Sequence, residues 1–349
     1  MSTLFTGQLP LVRPGAGTGI GGVPKGPTVV ALGGGHGLSA SLAALRLLTT
    51  ELTAVVTVAD DGGSSGRLRE DFGVVPPGDL RMALAALCDD TDWGRTWRDV
   101  MQHRFHSPAG RSGLDNHAMG NLLIVTLAEL LGDIVAGLRW AGALLGARGQ
   151  VLPMSRVPLM IEGDVLVESS GVHGGPPRRE TIRGQAACAV AGRLEEVRLV
   201  PADAPACPEA LSAIEYADWI VLGPGSWYTS VLPHLTLPET RQALCDTPAR
   251  RCLTMNLAVD TRETTGMSAA DHLRVIQRAA PEFRVDAVIA DDSSVGDPGE
   301  FEQVAGELGA EVFFGRVRSS GQRSVHDPLR LAGAYHEVFA SAGAAGGGR

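Results

Sequence analysis

A chain of 349 residues, 44% of them hydrophobic, can bury a large core, which allows either two domains or one large α/β domain. Its formal net charge of -9 argues against a sequence-independent grip on nucleic acid, while leaving room for a local basic pocket around one phosphorylated ligand. The five cysteines, Cys88, Cys188, Cys207, Cys245 and Cys252, form no Cys-x-x-Cys pair, so reduced thiols and a cytoplasmic location are expected.

Residues 1–27 are rich in Gly and Pro without periodicity and are expected to form a disordered tail, in which Ser2, Thr3 and Thr18 are chemically able to accept phosphate. The segment shows no basic stretch followed by an apolar core, so no signal peptide is expected. A strand at Thr28 to Leu32 runs into Gly33-Gly34-Gly35-His36-Gly37, and a helix follows from about Leu38 to Leu48. Free N–H groups at such a helix start form an anion seat. Gly35 to Ala40 also fits the loose G-x-G-x-x-A dinucleotide fingerprint, which keeps a nicotinamide dehydrogenase as a rival. No Walker lysine follows, which argues against a P-loop.

The most informative segment comes next. The β-branched run Thr53 to Val58 delivers Asp60, Asp61, Gly62, Ser64, Ser65, Arg67 and Arg69 to the end of a buried strand. Glycines permit close backbone approach, adjacent carboxylates suit a metal or a hydroxyl, and guanidinium groups suit phosphate oxygens. A decorated structural loop is the plain alternative.

From Asp79 to about Leu145 the pattern is helical, which predicts a helical layer or subdomain over about 79–147. Asp79 is expected to cap a helix through Leu87, followed by helices at Trp93 to Arg104, Asn121 to Leu131 and Asp133 to Leu145. Arg81, in a first turn, opposes the helix dipole unless a ligand anion or an acidic loop compensates it. His117 and Asn121 lie four apart and would share a face on a continuous helix, although a lone His is often structural. The apolar stretch Leu122 to Leu145 is broken by Glu129, Asp133 and Arg139, so no membrane span is expected.

Val157 to Ile161 and Val165 to Glu168 flank Glu162-Gly163-Asp164, which reads as a β-hairpin. A βαβ pattern then resumes, with strands near Val197 to Val200, Trp219 to Leu222, Cys252 to Met255 and Val285 to Ala290. Helices are expected near Glu209 to Tyr216, Ala269 to Ala279, Phe301 to Leu308 and Leu329 to Ala340, with Ser268 and Asp271 as a capping box. The loop Gly223-Pro224-Gly225-Ser226 offers an anion-binding nest, and Trp227 or Tyr228 a face for a base or sugar unless they staple the sheet edge. Residues 343–349 form a second tail. The whole pattern predicts a Rossmann-like α/β domain over 28–342, a mostly parallel sheet with helices on both faces. Strand ends at Gly33, Asp60, Gly223, Asn256 and Asp291-Asp292 then meet at one rim, where open α/β sheets bind ligands.

Together, the glycine run, Ala59 to Arg69, Pro76 to Arg81, Gly120-Asn121 and Leu222 to Ser226 resemble the bacterial gluconeogenesis factor family (YvcK-like), within the CofD-like group that contains 2-phospho-L-lactate transferase. The resemblance covers roughly Pro27 to Ala340. It implies a Rossmann-like cytoplasmic homodimer that binds a UDP-sugar, typically UDP-N-acetylglucosamine. It further implies a link, through cell-wall synthesis proteins, to cell shape during gluconeogenic growth. The related transferases use magnesium and a nucleotide-activated donor. By position, the glycines at 33–37 and 223–225 would hold the diphosphate, Asp60 and Asp61 would sit at the transferase centre as candidate Mg²⁺ ligands, and Ser226 and Asn256 would line the nucleotide pocket. This sequence departs from the family at His36, often Thr, at Met82, often Asn, at Val259 to Thr264, and at Met267, near which relatives often carry an aromatic. A ligand-binding regulator without turnover ranks first, and a Mg²⁺-dependent transferase second.

Overall fold

The computed structural model describes residues 25–110, 112–167, 178–258, 261–322 and 324–346. Ser2, Thr3 and Thr18, Glu168, Val259-Asp260 and the last residues of the C-terminal tail lie outside them. In chain order come β1 (Val29–Gly33), α1 (Gly35–Leu45), β2 (Leu52–Val56) and α2 (Gly63–Phe72). Four helices, α3 (Gly78–Leu87), α4 (Asp92–Gln102), α5 (Met119–Leu131) and α6 (Ile134–Leu145), lead into β3 (Gln150–Pro153). Then follow β4 (Met160–Val167), β5 (Arg178–Arg183), α7 (Gln185–Cys188), β6 (Leu194–Val200), α8 (Pro208–Glu215) and β7 (Trp219–Leu222). After a π-helical turn at Trp227–Val231 come α9 (Pro233–Thr236), α10 (Pro238–Asp246), β8 (Arg250–Thr254) and α11 (Ala269–Ala279). The chain closes with β9 (Ala287–Asp291), α12 (Pro298–Glu307), β10 (Glu311–Gly315) and α13 (Pro328–Gly346).

Seven strands form one sheet in the order β10-β9-β8-β7-β1-β2-β3, with every neighbouring pair parallel. β1, β7 and β9 are buried at every residue, which is why Val29-Val30-Ala31-Leu32 and Trp219-Ile220-Val221-Leu222 read as unbroken apolar runs. The expected Rossmann-like α/β architecture is therefore present. Helices α3 to α6 pack on one another, and α3 also covers β2 and β3. On α13, the Tyr335 hydroxyl lies 2.8 Å from both Ser41 Oγ of α1 and Thr254 Oγ1 of β8, tying the last helix to the middle of the sheet.

Three local expectations are corrected. Glu162-Gly163-Asp164 is the middle of β4, not a turn, and β4 is the central strand of an antiparallel sheet β5-β4-β6. Two residues apart, Glu162 and Asp164 share one face, where Arg198 Nε reaches Glu162 at 2.8 Å and Nη1 reaches Asp164 at 3.2 Å, with Arg183 also on Glu162. Gly163 leaves room rather than turning the chain, since a Cβ there would meet the Leu194 side chain at 2.8 Å. The strand near Val197 to Val200 consequently belongs to this small sheet, not to the parallel one. Finally, α3 starts at Gly78 after Pro77, so Asp79 sits in the first turn with its carboxylate free for tertiary partners. The capping box of α11 forms as read: Asp271 N donates to Ser268 Oγ at 3.1 Å and Ser268 N to the Asp271 carboxylate at 3.0 Å.

Candidate functional site

The strand order places β1 between β7 and β2, so the chain leaves β1 toward one edge and later resumes at β7 on its other side. This is the switch point at which an open parallel sheet leaves a crevice. The loop after β1 carries Gly34, Gly35, His36 and Gly37, and the loop after β7 carries Gly223 to Ser226. They touch. A Cβ on Gly37 would lie 2.1 Å from the Pro224 carbonyl oxygen and 2.6 Å from Gly225 Cα.

The second loop is held from both sides. Ser41 Oγ donates to the Gly223 carbonyl at 2.8 Å, while Asn256, beyond β8, accepts from Gly225 N at 2.9 Å and donates to Gly225 O at 2.7 Å. Gly223 and Gly225 carry φ values of +76° and +150°, conformations in which a side chain would be strained. Between the loops opens a cleft of about 400 Å³, lined among others by His36, Gly225, Ser226, Asn256, Glu263 and His326.

Ser226 does not present a free hydroxyl. It meets both carboxylate oxygens of Glu263 at 2.8 Å, and Trp227 N donates to the same group at 2.8 Å. Burial raises the Glu263 carboxyl above its ordinary value, against the pull of these donors. Glu263→Ala leaves those donors without a partner and is expected to cost about 1–3 kcal/mol, read by urea unfolding. An unchanged midpoint would show that the carboxylate does not hold the loop. The aromatics next to it are not ligand platforms: Trp227 is 0% and Tyr228 2% exposed. Trp227 Nε1 donates to His272 O at 3.0 Å, and the Tyr228 hydroxyl points at Met267 sulfur 4.0 Å away. The aromatic pair thus staples the sheet edge, and Met267 is buried with it.

Beyond β2 the acidic loop divides. Asp60 Oδ1 accepts from Gly62 N at 2.9 Å, and its carboxyl also bonds Ser65, whose Oγ accepts from Gly78 N at 2.9 Å. Asp61 turns elsewhere, accepting from Ala186 N of α7 at 3.0 Å. Among the described residues no group of three or more His, Cys, Asp or Glu side chains is placed to hold a metal ion. The Asp60 and Asp61 carboxylates, expected to seat Mg²⁺, take separate protein partners.

Asp79 turns under the first glycine loop. It accepts from Gly35 N–H and from Thr57 Oγ1 at 3.3 Å, and a Cβ on Gly34 would come within 2.5 Å of its Oδ2. The protein's own carboxylate thus takes part of the anion seat read at the start of α1. Burial, together with the charge of Asp60, pushes Asp79 up to about 6, and burial raises Asp60 as well. Arg81, 4% exposed, faces both carboxylates; burial and the neighbouring Arg104 lower it to about 10. Its Nε donates to Asn121 Oδ1 at 2.9 Å, while the buried Nη1 has no partner.

His117 and Asn121 do not share a continuous helix, because α5 begins at Met119. They still converge. Ser64 Oγ accepts from Asn121 Nδ2 at 3.0 Å and Ala118 N at 3.3 Å, so its proton is directed to His117 Nδ1 at 3.1 Å. Burial, with the nearby Arg67 charge, lowers His117 below the ordinary imidazole value. Arg67 donates to the Asp115 carbonyl at 2.6 Å, and Arg69 keeps a buried Nη1 without a partner.

Three residues escaped the sequence reading. Glu263 belongs to a loop far along the chain, His234 lies beneath β1 with Nε2 3.4 Å from Gly33 O, and His326 lines the cleft. Burial takes both histidines down to about 4, so both are neutral. Only Glu263 carried a signal, as part of the Val259 to Thr264 stretch that departs from the family pattern. Asp60 and Gly225, by contrast, are linked along one rim through Gly78, Asp79 and Gly34.

A family model described as 2-phospho-L-lactate transferase CofD matches residues 29–313. A protein of Mycobacterium leprae, named "Putative gluconeogenesis factor", is 50% identical over 316 residues, covering 89% of this chain and 86% of that protein. The gluconeogenesis factor of Halalkalibacterium halodurans is 37% identical over 274 residues, covering 78% of this chain and 80% of that one. Among solved structures, a UPF0052-family protein of Bacillus halodurans superposes with a TM-score of 0.77 at 32% identity, covering 89% of this chain and 99% of that chain. Matches of this extent set aside the dehydrogenase reading of the glycine run. The chain belongs to the CofD family and, within it, to the gluconeogenesis factors.

Proposed function

We propose that this protein is a cytoplasmic regulator that binds a nucleoside-diphosphate sugar, of the UDP-N-acetylglucosamine kind, and acts on cell-wall synthesis and cell shape during gluconeogenic growth. One observation carries the reading: the two glycine loops that flank the switch point close on each other at Gly37 and Pro224 and open a cleft beside Gly225, Ser226 and Asn256. Its volume of about 400 Å³ lies within the ~300–1,000 Å³ usual for small-molecule sites. In this reading the diphosphate lies along Gly35 to Gly37 and Gly223 to Gly225, while Asn256 and Ser226 face the nucleoside. Asp60, Arg67, Arg69 and Arg81 belong to the other end of the rim, toward the sugar or an acceptor. The regulator works as a homodimer. Among the described residues no helix is long and apolar enough to cross a membrane.

A ligand that binds only the folded state stabilises it, by about 2.7 kcal/mol at a hundredfold excess over Kd. UDP-N-acetylglucosamine is therefore expected to raise Tm in a concentration-dependent way. Asn256→Ala, which removes the clamp on Gly225, is expected to abolish that rise. No shift with any UDP-sugar would sink the proposal.

The second reading, a transferase using a nucleotide-activated donor, is favoured by the cluster of Asp60 with the buried Asp79 and Arg81, a set of groups suited to handling charge beside an acceptor. Product formation with Mg²⁺ that disappears in Asp60→Asn would support it. Ligand binding without turnover in both proteins would favour the regulator.

A further inference from the structure

On the same side of the sheet, beyond β9 and β10, lies a second cavity of about 610 Å³. Its walls come from the end of β9, the segment after β10 and the first turn of α13, and three guanidinium groups converge on it: Arg316, Arg318 and Arg330. Two of them are held in place. Arg318 Nη2 donates to Leu257 O at 3.2 Å and Ser294 Oγ at 2.9 Å, and Arg330 Nη1 donates to Arg318 O at 2.8 Å. These tethers use neutral oxygens, which leaves Arg330 without a counter-charge from its own tether, while Arg318 has Asp291 as an ion-pair neighbour.

The carboxylate beside them is already engaged. Asp291 accepts from Ser293 N and Arg318 N, both at 3.1 Å, and from the Ser293 hydroxyl. Arg318 Nε stands 3.7 Å from it, buried and without a hydrogen-bond partner. Asp292 is exposed on the cavity wall, and among the described residues neither it, Arg316 nor Arg330 is in an ion pair. Arg330 stands in the first turn of α13, whose amides at Leu329 and Arg330 are capped by Asp327 at 3.0 and 3.1 Å. A cation there opposes the helix dipole, and three like charges lining one cavity, two of them tethered, repel one another. An anion in the cavity removes both penalties, and the hydroxyls of Ser319 and Ser320 can donate to it.

We propose that this cavity is a second binding site, for a small phosphate-bearing metabolite, separate from the strand-end cleft. The separator is a short two-armed segment: Ser319 N donates to Val325 O and Asp327 N to Val317 O, both at 2.8 Å, with Arg318 and His326 paired as a β-bridge. One arm, Ser319 to Gln322, lines the second cavity, and the other, Ser324 to His326, lines the cleft.

The test is calorimetric titration of the full-length protein with inorganic phosphate, at ionic strength matched with chloride. The wild type is expected to show saturable binding. Arg316→Glu, at an exposed position with no ion pair among the described residues, should weaken it about tenfold or more, since it replaces a charge-assisted contact by repulsion. Arg330→Lys should weaken it less, with an unchanged Tm. Asn256→Ala alters only the cleft and should leave the phosphate isotherm as it is, so this site and the nucleotide reading fail separately. Phosphate heats that chloride reproduces, or that persist in Arg316→Glu and vanish in Asn256→Ala, would overturn the proposal.

Discussion

Gly37→Ala should destabilise the protein by roughly 3 kcal/mol and lower its affinity for a nucleoside diphosphate about a hundredfold or more, as overpacking against rigid backbone does. The sign is the informative part. Gly37 lies inside α1, and in an exposed helix interior the same change stabilises by about 1 kcal/mol through helix propensity. Here the added methyl would stand 2.1 Å from a carbonyl oxygen and 2.5 Å from its carbon, neither of which belongs to a flexible side chain. Moving the Gly223 to Gly225 loop away breaks the two Asn256 hydrogen bonds and the Ser41 contact that hold it. Urea unfolding and nucleotide titration of the variant check this. A variant at least as stable as the wild type would mean that the two loops do not close on each other, and the cleft would lose its wall.

Asp79→Asn is expected to act in the opposite direction on stability, and in a pH-dependent way. The folded-state pKa of Asp79 is raised from 3.8 to about 6, so between those values the folded protein holds more protons than the unfolded chain. Stability from this group is therefore greatest at low pH, declines as pH rises through that window, and stays reduced above it. A shift of this size corresponds to at most roughly 3 kcal/mol. The amide keeps an oxygen for Gly35 N–H but is a weaker acceptor than a carboxylate, which leaves a net gain of about 1–2 kcal/mol near pH 8. Near pH 5 the gain should shrink. Asp60, Asp61, Arg81 and Arg104 are the charged groups around the cluster, and removing the charge at 79 should also let Asp60 titrate lower. Urea unfolding at both pH values decides the matter; a variant less stable at pH 8 than at pH 5, relative to wild type, contradicts a buried ionised Asp79.

These two variants probe the link between the loops and the chemistry. Gly37 tests whether a cavity exists, and Asp79 tests what occupies the anion seat in the free protein. If Asp79 holds Gly35 N–H, then a diphosphate arriving at α1 meets a carboxylate already in place. At the Gly225 loop the corresponding amide is held by the neutral Asn256 Oδ1 rather than by a carboxylate, so a diphosphate meets no like charge there.

Much of the architecture was legible from residue order alone. Val29 to Leu32, Trp219 to Leu222 and Val288 to Ala290 are short apolar runs followed by Gly or Asp, and such runs are dictated by burial on both faces of a parallel sheet. Ser268 and Asp271 announced α11 because the capping hydrogen bonds are local. What misled the reading had long-range causes. Glu162 and Asp164 look like a polar turn until Arg183 and Arg198, far along the chain, neutralise them within a sheet. Trp227 and Tyr228 look like ligand platforms until α11 and Met267 cover them.

For the site, the sequence by itself determined which residue types arrive at the strand ends, because strand and helix periodicity specify where each loop begins. It could not determine which carboxylate pairs with which. Asp60 and Asp61 are neighbours in the chain yet take different partners, whereas Asp60 and Asp79 are brought together only when α3 packs beside β2. Burial and charge coupling depend on distances between elements, and those distances are set by the packing of the sheet and its helices rather than by local conformation.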